Sequence, residues 1–202
     1  MTSLVTEINT SVRSVPVWLV WLAGLMPSVW FLYLGLTGGL GVEPIKALEH
    51  ELGKVALQLL VVGLAITPMR RYLGLNLIRF RRAIGLLTFT YVVLHLLVWL
   101  VLDVQDLARV WADIVKRPYV TIGFVAFVLM IPLAVTSNNL SVRRLGPQWR
   151  RLHRLTYVVA VLGAVHFIWL SKGFQIEPLV YLGVILTLLV LRLTWRRAPR
   201  RA

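Results

Sequence analysis

The 202-residue sequence contains no cysteine. That absence excludes structural disulfides, thiolate-ligated haem, Cys-held iron–sulfur clusters and the C-x-x-C-H attachment of c-type haem, so any redox work needs a cofactor bound by other side chains. Acidic residues are scarce too: eight Asp and Glu stand against 22 Lys and Arg, for a formal net charge of +14. Ser- or Gln-rich linkers and low-complexity tracts are also missing, so nothing divides the chain into separate soluble domains. What fills the sequence is apolar, with 58% hydrophobic residues and a mean hydropathy of +0.79. These residues gather in long blocks, not in the short periodic stripes of a soluble fold.

Six blocks lie at 17–36, 52–68, 83–102, 119–137, 154–172 and 178–195. About 17 to 25 apolar residues carry a helix across a hydrocarbon core of about 30 Å. A soluble domain of this length has no place to bury six such blocks. The sequence therefore predicts an all-α integral membrane protein: a six-helix transmembrane bundle over 17–195, a short N-terminal segment at 1–16 and a basic tail at 196–202. The first block exceeds a usual signal-peptide core and no A-x-A site follows it, so it reads as a retained helix. Pro27 and Pro132 fall inside blocks and should kink them, because each removes an intrahelical donor.

With six crossings both termini share a side, and sixteen of the 22 basic residues fall there, including Arg79, Arg81, Arg82, Arg143, Arg150 and Arg154. Of the eight acids only Glu7 does, leaving about +15 on that face and about −1 on the other. The positive-inside rule makes the richer face cytoplasmic. The basic charge then reads as orientation and contact with anionic lipid, not as nucleic-acid binding. On the opposite face the connections at 37–51 and 103–118 are longest, and DVQDLARVWADIVKRP has the spacing of a short amphipathic surface helix. No matched pair of broken helices marks the two halves of an alternating-access transporter.

The chain has four histidines: His50, His95, His153 and His166. His95 lies eight residues, about 12 Å, from the outer end of its block, and His166 lies six residues, about 9 Å, from the outer end of its own. Two imidazoles at nearly equal depth on parallel helices suit the axial positions of one haem iron. Histidines hydrogen-bonded between helices are the plain alternative, and zinc lacks a visible third ligand at that depth. His153 sits in RRLHR at the other end, thirteen residues and about 20 Å along the axis from His166. On an ideal helix the two point about 140° apart, so serving two cofactor levels requires irregular winding. Arg81, fourteen positions before His95, comes within about 40° of the same face. Two levels emerge: His95 with His166 outside, and Arg81 with His153 inside, where the arginine could hold a haem propionate or a flavin phosphate, serve as an unusual axial partner, or be an ordinary interfacial charge. His50, in EHELGK, could be a proton relay, a propionate or quinone-headgroup contact, or a solvated loop residue. Trp99 and Trp169 could wall the outer level or simply anchor the interface.

The segments HELGKVALQLLVVGLAITPMRRY, FRRAIGLLTFTYVVLHLLVWLVL, RPYVTIGFVAFVLMIPLAVTS and RLGPQWRRLHRLTYVVAVLGAVHFIWL resemble the MsrQ (YedZ) family, with the Arg-Pro-Tyr and Trp-x-x-Leu-His segments the most specific. These are haem-binding membrane subunits of the bacterial periplasmic methionine sulfoxide reductase system, within the ferric-reductase-like transmembrane superfamily. The resemblance implies heme b and FMN as cofactors. It implies electron transfer from the quinone pool or a cytoplasmic flavin reductase to a periplasmic molybdopterin catalytic subunit that repairs oxidised proteins, and hence a place in the bacterial inner membrane. It carries haem ligation to His95, His153 and His166. The wider superfamily has two histidines fourteen apart on this third helix, whereas here the inner position is Arg81. Two readings from other classes compete: a small transporter using buried histidines as proton relays, and a purely structural membrane anchor.

Overall fold

The computed structural model describes residues 2–171 and 175–194, so Lys172 and the tail at 196–202 lie outside the described residues. All regular structure within it is helical. Five helices are long and apolar enough to cross a membrane: Val17–Leu36, Pro44–Tyr72, Ile78–Val104, Pro118–Val135 and Pro147–Leu170. We label the helices α1 (Thr2–Ser14), α2 (Val17–Leu36), α3 (Pro44–Tyr72), α4 (Arg81–Leu97), α5 (Leu107–Lys116), α6 (Pro118–Val135), α7 (Asn139–Leu145), α8 (Pro147–Leu152), α9 (Leu155–Leu170) and α10 (Ile176–Thr194).

Apolar side chains fill the interior and also cover much of the outside. α2 buries none of its residues and turns Trp18, Leu22, Met26, Val29 and Leu36 outward, as a lipid-facing helix does. Where helices meet, the residues are small or tightly fitted: Ala83, Ala126, Ala160 and Ala164 are buried on α4, α6 and α9. Small side chains let helix backbones approach where lipid tails remove any hydrophobic advantage to association. The two most extensive contacts join α3 to α4 and α6 to α9, and α10 closes against α9 and α3.

Prolines stand inside α2, α3 and α6, and at the first two a side chain from another helix enters the hydrogen-bond ladder. One rung on from Pro27 in α2, the Tyr91 hydroxyl of α4 enters the ladder, accepting from Ser28 N–H at 3.0 Å and donating to the Gly24 carbonyl at 2.7 Å. Pro68, near the arginine-rich end of α3, has no N–H to give the Leu64 carbonyl four residues back. Arg192 of α10 supplies the donor: its Nε lies 3.0 Å from Leu64 O and its Nη2 3.2 Å from Gly63 O. At the opposite end Lys54 of α3 pairs with Glu177 of α10 at 3.2 Å, so α10 is pinned to α3 near both of its ends.

The structure departs from the sequence reading at several element ends. α3 starts at Pro44, eight residues before its apolar block, so His50 lies within a helix, where the sequence suggested a loop. Proline at the first helical position and the ion pairs Glu43–Lys46 (2.6 Å) and Glu51–Lys54 (3.9 Å) carry the helix through this polar stretch. The polar N-terminal segment forms α1, which folds back on the loop after α3. Asn9 accepts from Asn76 N–H at 2.8 Å and donates to Gly74 O at 3.0 Å, while Arg79 donates to the Val12 carbonyl at 3.2 Å and to that of Arg13. The outer connection contains the expected short helix, α5, capped by Asp106 accepting from Ala108 N–H at 2.9 Å. Leu107, Trp111 and Val115 make an exposed apolar stripe along it. Between α4 and α5 the chain winds as a π-helix over Val98–Val104.

Candidate functional site

α4 packs chiefly on α3 and α9 chiefly on α6, and across the space between the two pairs His95 and His166 face each other with ring centres 6.3 Å apart and planes at 79°. Each ring is held the same way. His95 Nδ1 lies 2.8 Å from the Glu49 carbonyl on α3, and His166 Nδ1 lies 2.7 Å from the Tyr119 carbonyl on α6. A carbonyl only accepts, so both Nδ1 atoms carry hydrogen and both Nε2 atoms keep a lone pair. Neither Nε2 has a partner among the described residues, yet no fully buried side-chain nitrogen or oxygen among them is left unpaired, so both Nε2 atoms reach open space. Two imidazoles held in this tautomer present the nitrogens that a metal can take.

The spacing can be tested against a metal. A bond of about 2.0–2.1 Å from metal to imidazole nitrogen, with about 1.2 Å more to the ring centre, puts two axial imidazoles about 6.4 Å apart across one iron. The observed 6.3 Å agrees. Two further features serve the same geometry. Gly53 on α3 and Gly123 on α6 stand where the rings lie against the backbone: a Cβ on Gly53 would come 3.1 Å from His95 Nδ1, and one on Gly123 2.9 Å from His166 Nδ1 and Cε1. The site therefore fits a haem iron with two histidine ligands.

His153 is placed differently. α8 ends at Leu152 and α9 starts at Leu155, so the winding breaks at His153 and Arg154, and this supplies the irregularity that two levels on one helix require. Its ring stacks on Trp149 at 3.9 Å between centres, and its Nε2 lies 3.0 Å from the Thr136 hydroxyl. That hydroxyl donates to the Pro132 carbonyl at 2.6 Å, so it accepts from His153, whose hydrogen is then on Nε2. Nδ1 is the free lone pair there. Trp149 Nε1 donates to the Thr136 carbonyl at 2.9 Å and so fixes the stacking ring. Arg81 lies within electrostatic reach of His153, Tyr157 and Arg192 and makes no hydrogen bond or ion pair among the described residues.

Of the remaining candidates His50 comes nearest, within electrostatic reach of both His95 and His166. His50 is exposed and sets its ring edgewise on Phe167 at 5.6 Å. Trp169 is exposed, and Trp99 stands in the π-helical stretch, where an α-helical count from His95 no longer applies. Sequence reasoning missed the carbonyls of Glu49 and Tyr119, the two glycines, Thr136 and the Arg192–Pro68 pair. The Arg-Pro-Tyr segment was the one signal available: Arg117 donates to the Tyr119 hydroxyl at 3.4 Å, pairs with Asp113 at 3.1 Å and so fixes the turn that presents the Tyr119 carbonyl. That hydroxyl is the main cause of an Arg117 pKa above the ordinary value.

A histidine pair with free Nε2 atoms inside a bundle of apolar helices is an arrangement that can hold haem iron in a membrane protein. Residues 52–164 match the family of ferric reductase like transmembrane components. Over 186 residues, 92% of this chain and 84% of the relative, the sequence is 44% identical to the protein-methionine-sulfoxide reductase heme-binding subunit MsrQ of Brucella anthropi. It is 46% identical over 177 residues to the subunit of the same name from Brucella melitensis, covering 87% of this chain and 80% of that one. The chain belongs to the MsrQ family. No solved structure matches it.

Proposed function

We propose that this chain is the membrane electron carrier of a methionine sulfoxide reductase system. b-type haem is held between His95 and His166, and a second cofactor level, haem or FMN, is framed by His153 and Arg81. The observation that carries this reading is the paired Nδ1-to-carbonyl bonding, which frees two Nε2 atoms with ring centres 6.3 Å apart. Haem bound there supplies one-electron carriage at a level reached from the face opposite the arginines. The Glu49 and Tyr119 carbonyls hold the tautomer and raise the basicity of each ligand nitrogen. At the inner level Trp149 and Thr136 fix the His153 ring, which offers Nδ1 there, and Arg81 has an uncommitted guanidinium suited to a propionate or a phosphate.

In this reading α10 is the sixth crossing, both termini lie on the arginine-rich cytoplasmic face of the bacterial inner membrane, and the outer level faces the periplasm. Electrons come from quinol or a cytoplasmic flavin reductase and leave to a periplasmic molybdopterin subunit, which carries out the sulfoxide reduction. The test is stoichiometric. Purified holoprotein is reduced anaerobically with limiting dithionite and then mixed with that catalytic subunit and a methionine sulfoxide substrate. Haem absorbance should return fully to the oxidised form, at two electrons per sulfoxide, only when both are present, the catalytic subunit alone taking no more than the electrons its molybdenum accepts; full oxidation by sulfoxide without that subunit, or none with both, contradicts the role.

A further inference from the structure

The two histidines are held by the same local device on two different helices. On α3 the carbonyl of Glu49 accepts from His95 Nδ1, and four residues later Gly53 lies beneath the same ring. On α6 the carbonyl of Tyr119 accepts from His166 Nδ1, and four residues later Gly123 lies beneath that ring. Residues four apart share a helix face, so each helix offers one anchor and one close seat for the Nδ1 side of the ring along the same stripe. The fit leaves no spare room. A Cβ on Gly123 would lie 2.9 Å from Cε1 and Nδ1 of His166 and 3.3 Å from its Cγ; one on Gly53 would lie 3.1, 3.3 and 3.7 Å from Nδ1, Cε1 and Cγ of His95. By contrast a Cβ on Gly85 or Gly183 would meet nothing within 4 Å, so those glycines serve no such contact.

We propose that Gly53 and Gly123 are positioning residues of the ligand pair: they seat the His95 and His166 rings against α3 and α6 and fix the near-perpendicular angle of 79° between the ring planes. The carbonyl bond alone leaves a ring free to pivot about its hydrogen-bond axis. The glycine backbone beside Nδ1 restricts that freedom, because the Nδ1 side of the ring can come this close to the helix only where no Cβ stands. The angle has an electronic consequence. Perpendicular axial imidazoles leave two of the iron d orbitals nearly degenerate, so ferric low-spin haem gives a single strongly axial low-field resonance; parallel imidazoles split those orbitals and give a resolved rhombic spectrum.

The inference rests on the reading that His95 and His166 hold haem, and the experiment separates the two. Electron paramagnetic resonance and haem content are measured on full-length ferric holoprotein from wild type, Gly123→Ala, Gly53→Ala, Gly85→Ala and His166→Ala. The expected wild-type spectrum has the single low-field feature. Gly123→Ala should lose most of it, to a rhombic or high-spin spectrum or to loss of haem; Gly53→Ala should shift it less, in line with its longer approach; Gly85→Ala should leave it unchanged. Should Gly123→Ala fail to accumulate, Gly53→Ala decides by the same criterion. Full haem content with an unaltered resonance in both seat variants overturns the positioning role while leaving the haem site standing. A wild-type signal that persists in His166→Ala overturns the haem assignment itself, and this inference with it.

Discussion

Arg192 is a buried cation with no acidic partner among the described residues, and its contacts say what it is there for. Pro68 leaves the Leu64 carbonyl without its intrahelical donor, and the guanidinium supplies one from α10. A hydrogen bond from a charged donor contributes about 1.5–3 kcal/mol net, and an orphaned buried acceptor costs about 1–3 kcal/mol. Against this stands the cost of holding a guanidinium in the membrane, about 2.5–3.5 kcal/mol at the bilayer centre and less near a helix end. Arg192 is two residues from the end of α10, so the carbonyl bonds win, and Arg192→Met should destabilise by about 1–2 kcal/mol. The partner variant, Pro68→Ala, gives Leu64 an ordinary N–H donor. In that background Arg192→Met should cost about 1 kcal/mol less, a coupling well above the about 0.3–0.5 kcal/mol within which independent sites add. Thermal unfolding in one detergent, followed by circular dichroism for the four members of the cycle, measures this. Additivity would refute the claim that Arg192 stands in for the donor that proline lacks.

Tyr91→Phe should let Ser28 N–H bond directly to the Gly24 carbonyl, closing that rung of α2 at a net cost of about 0.6 kcal/mol and no more than about 1.7 kcal/mol by unfolding, the range of interhelical bonds in membranes. Thr136→Val removes the acceptor for His153 Nε2, so spectral changes are expected at the inner cofactor level while the ferric resonance of the outer level stays as in wild type. Asn9→Ala unclamps the loop after α3, and trypsin should then cut at Arg79 or Arg81 faster than in wild type. That cleavage should occur in inverted membrane vesicles and not in right-side-out ones, which also tests the orientation drawn from charge.

Much of this protein is legible in its sequence, because lipid imposes simple rules. The apolar blocks found their helices, and the equal depths of His95 and His166 anticipated a pair that the fold brings to 6.3 Å. The break that two levels on one helix would need appears at His153 and Arg154. What the sequence hid are contacts made by groups that every residue carries. Any helix position has a carbonyl, so nothing in the letters distinguishes Glu49 and Tyr119 as anchors. A glycine seat reads like any other glycine in an apolar run until the facing ring is seen. Helix ends were missed where local capping outweighs hydropathy, as in the polar start of α3 and in α1, and the π-helical winding at Val98–Val104 carries no mark in composition.

The most direct test of the account is a dithionite-reduced minus oxidised absorption spectrum of the purified protein, with haem counted per polypeptide, for wild type, His95→Ala and His166→Ala. The account predicts a b-type spectrum in wild type and loss of the six-coordinate low-spin species in each variant. A colourless wild type that stays so after haem supplementation, or a normal low-spin spectrum in either variant, would contradict it.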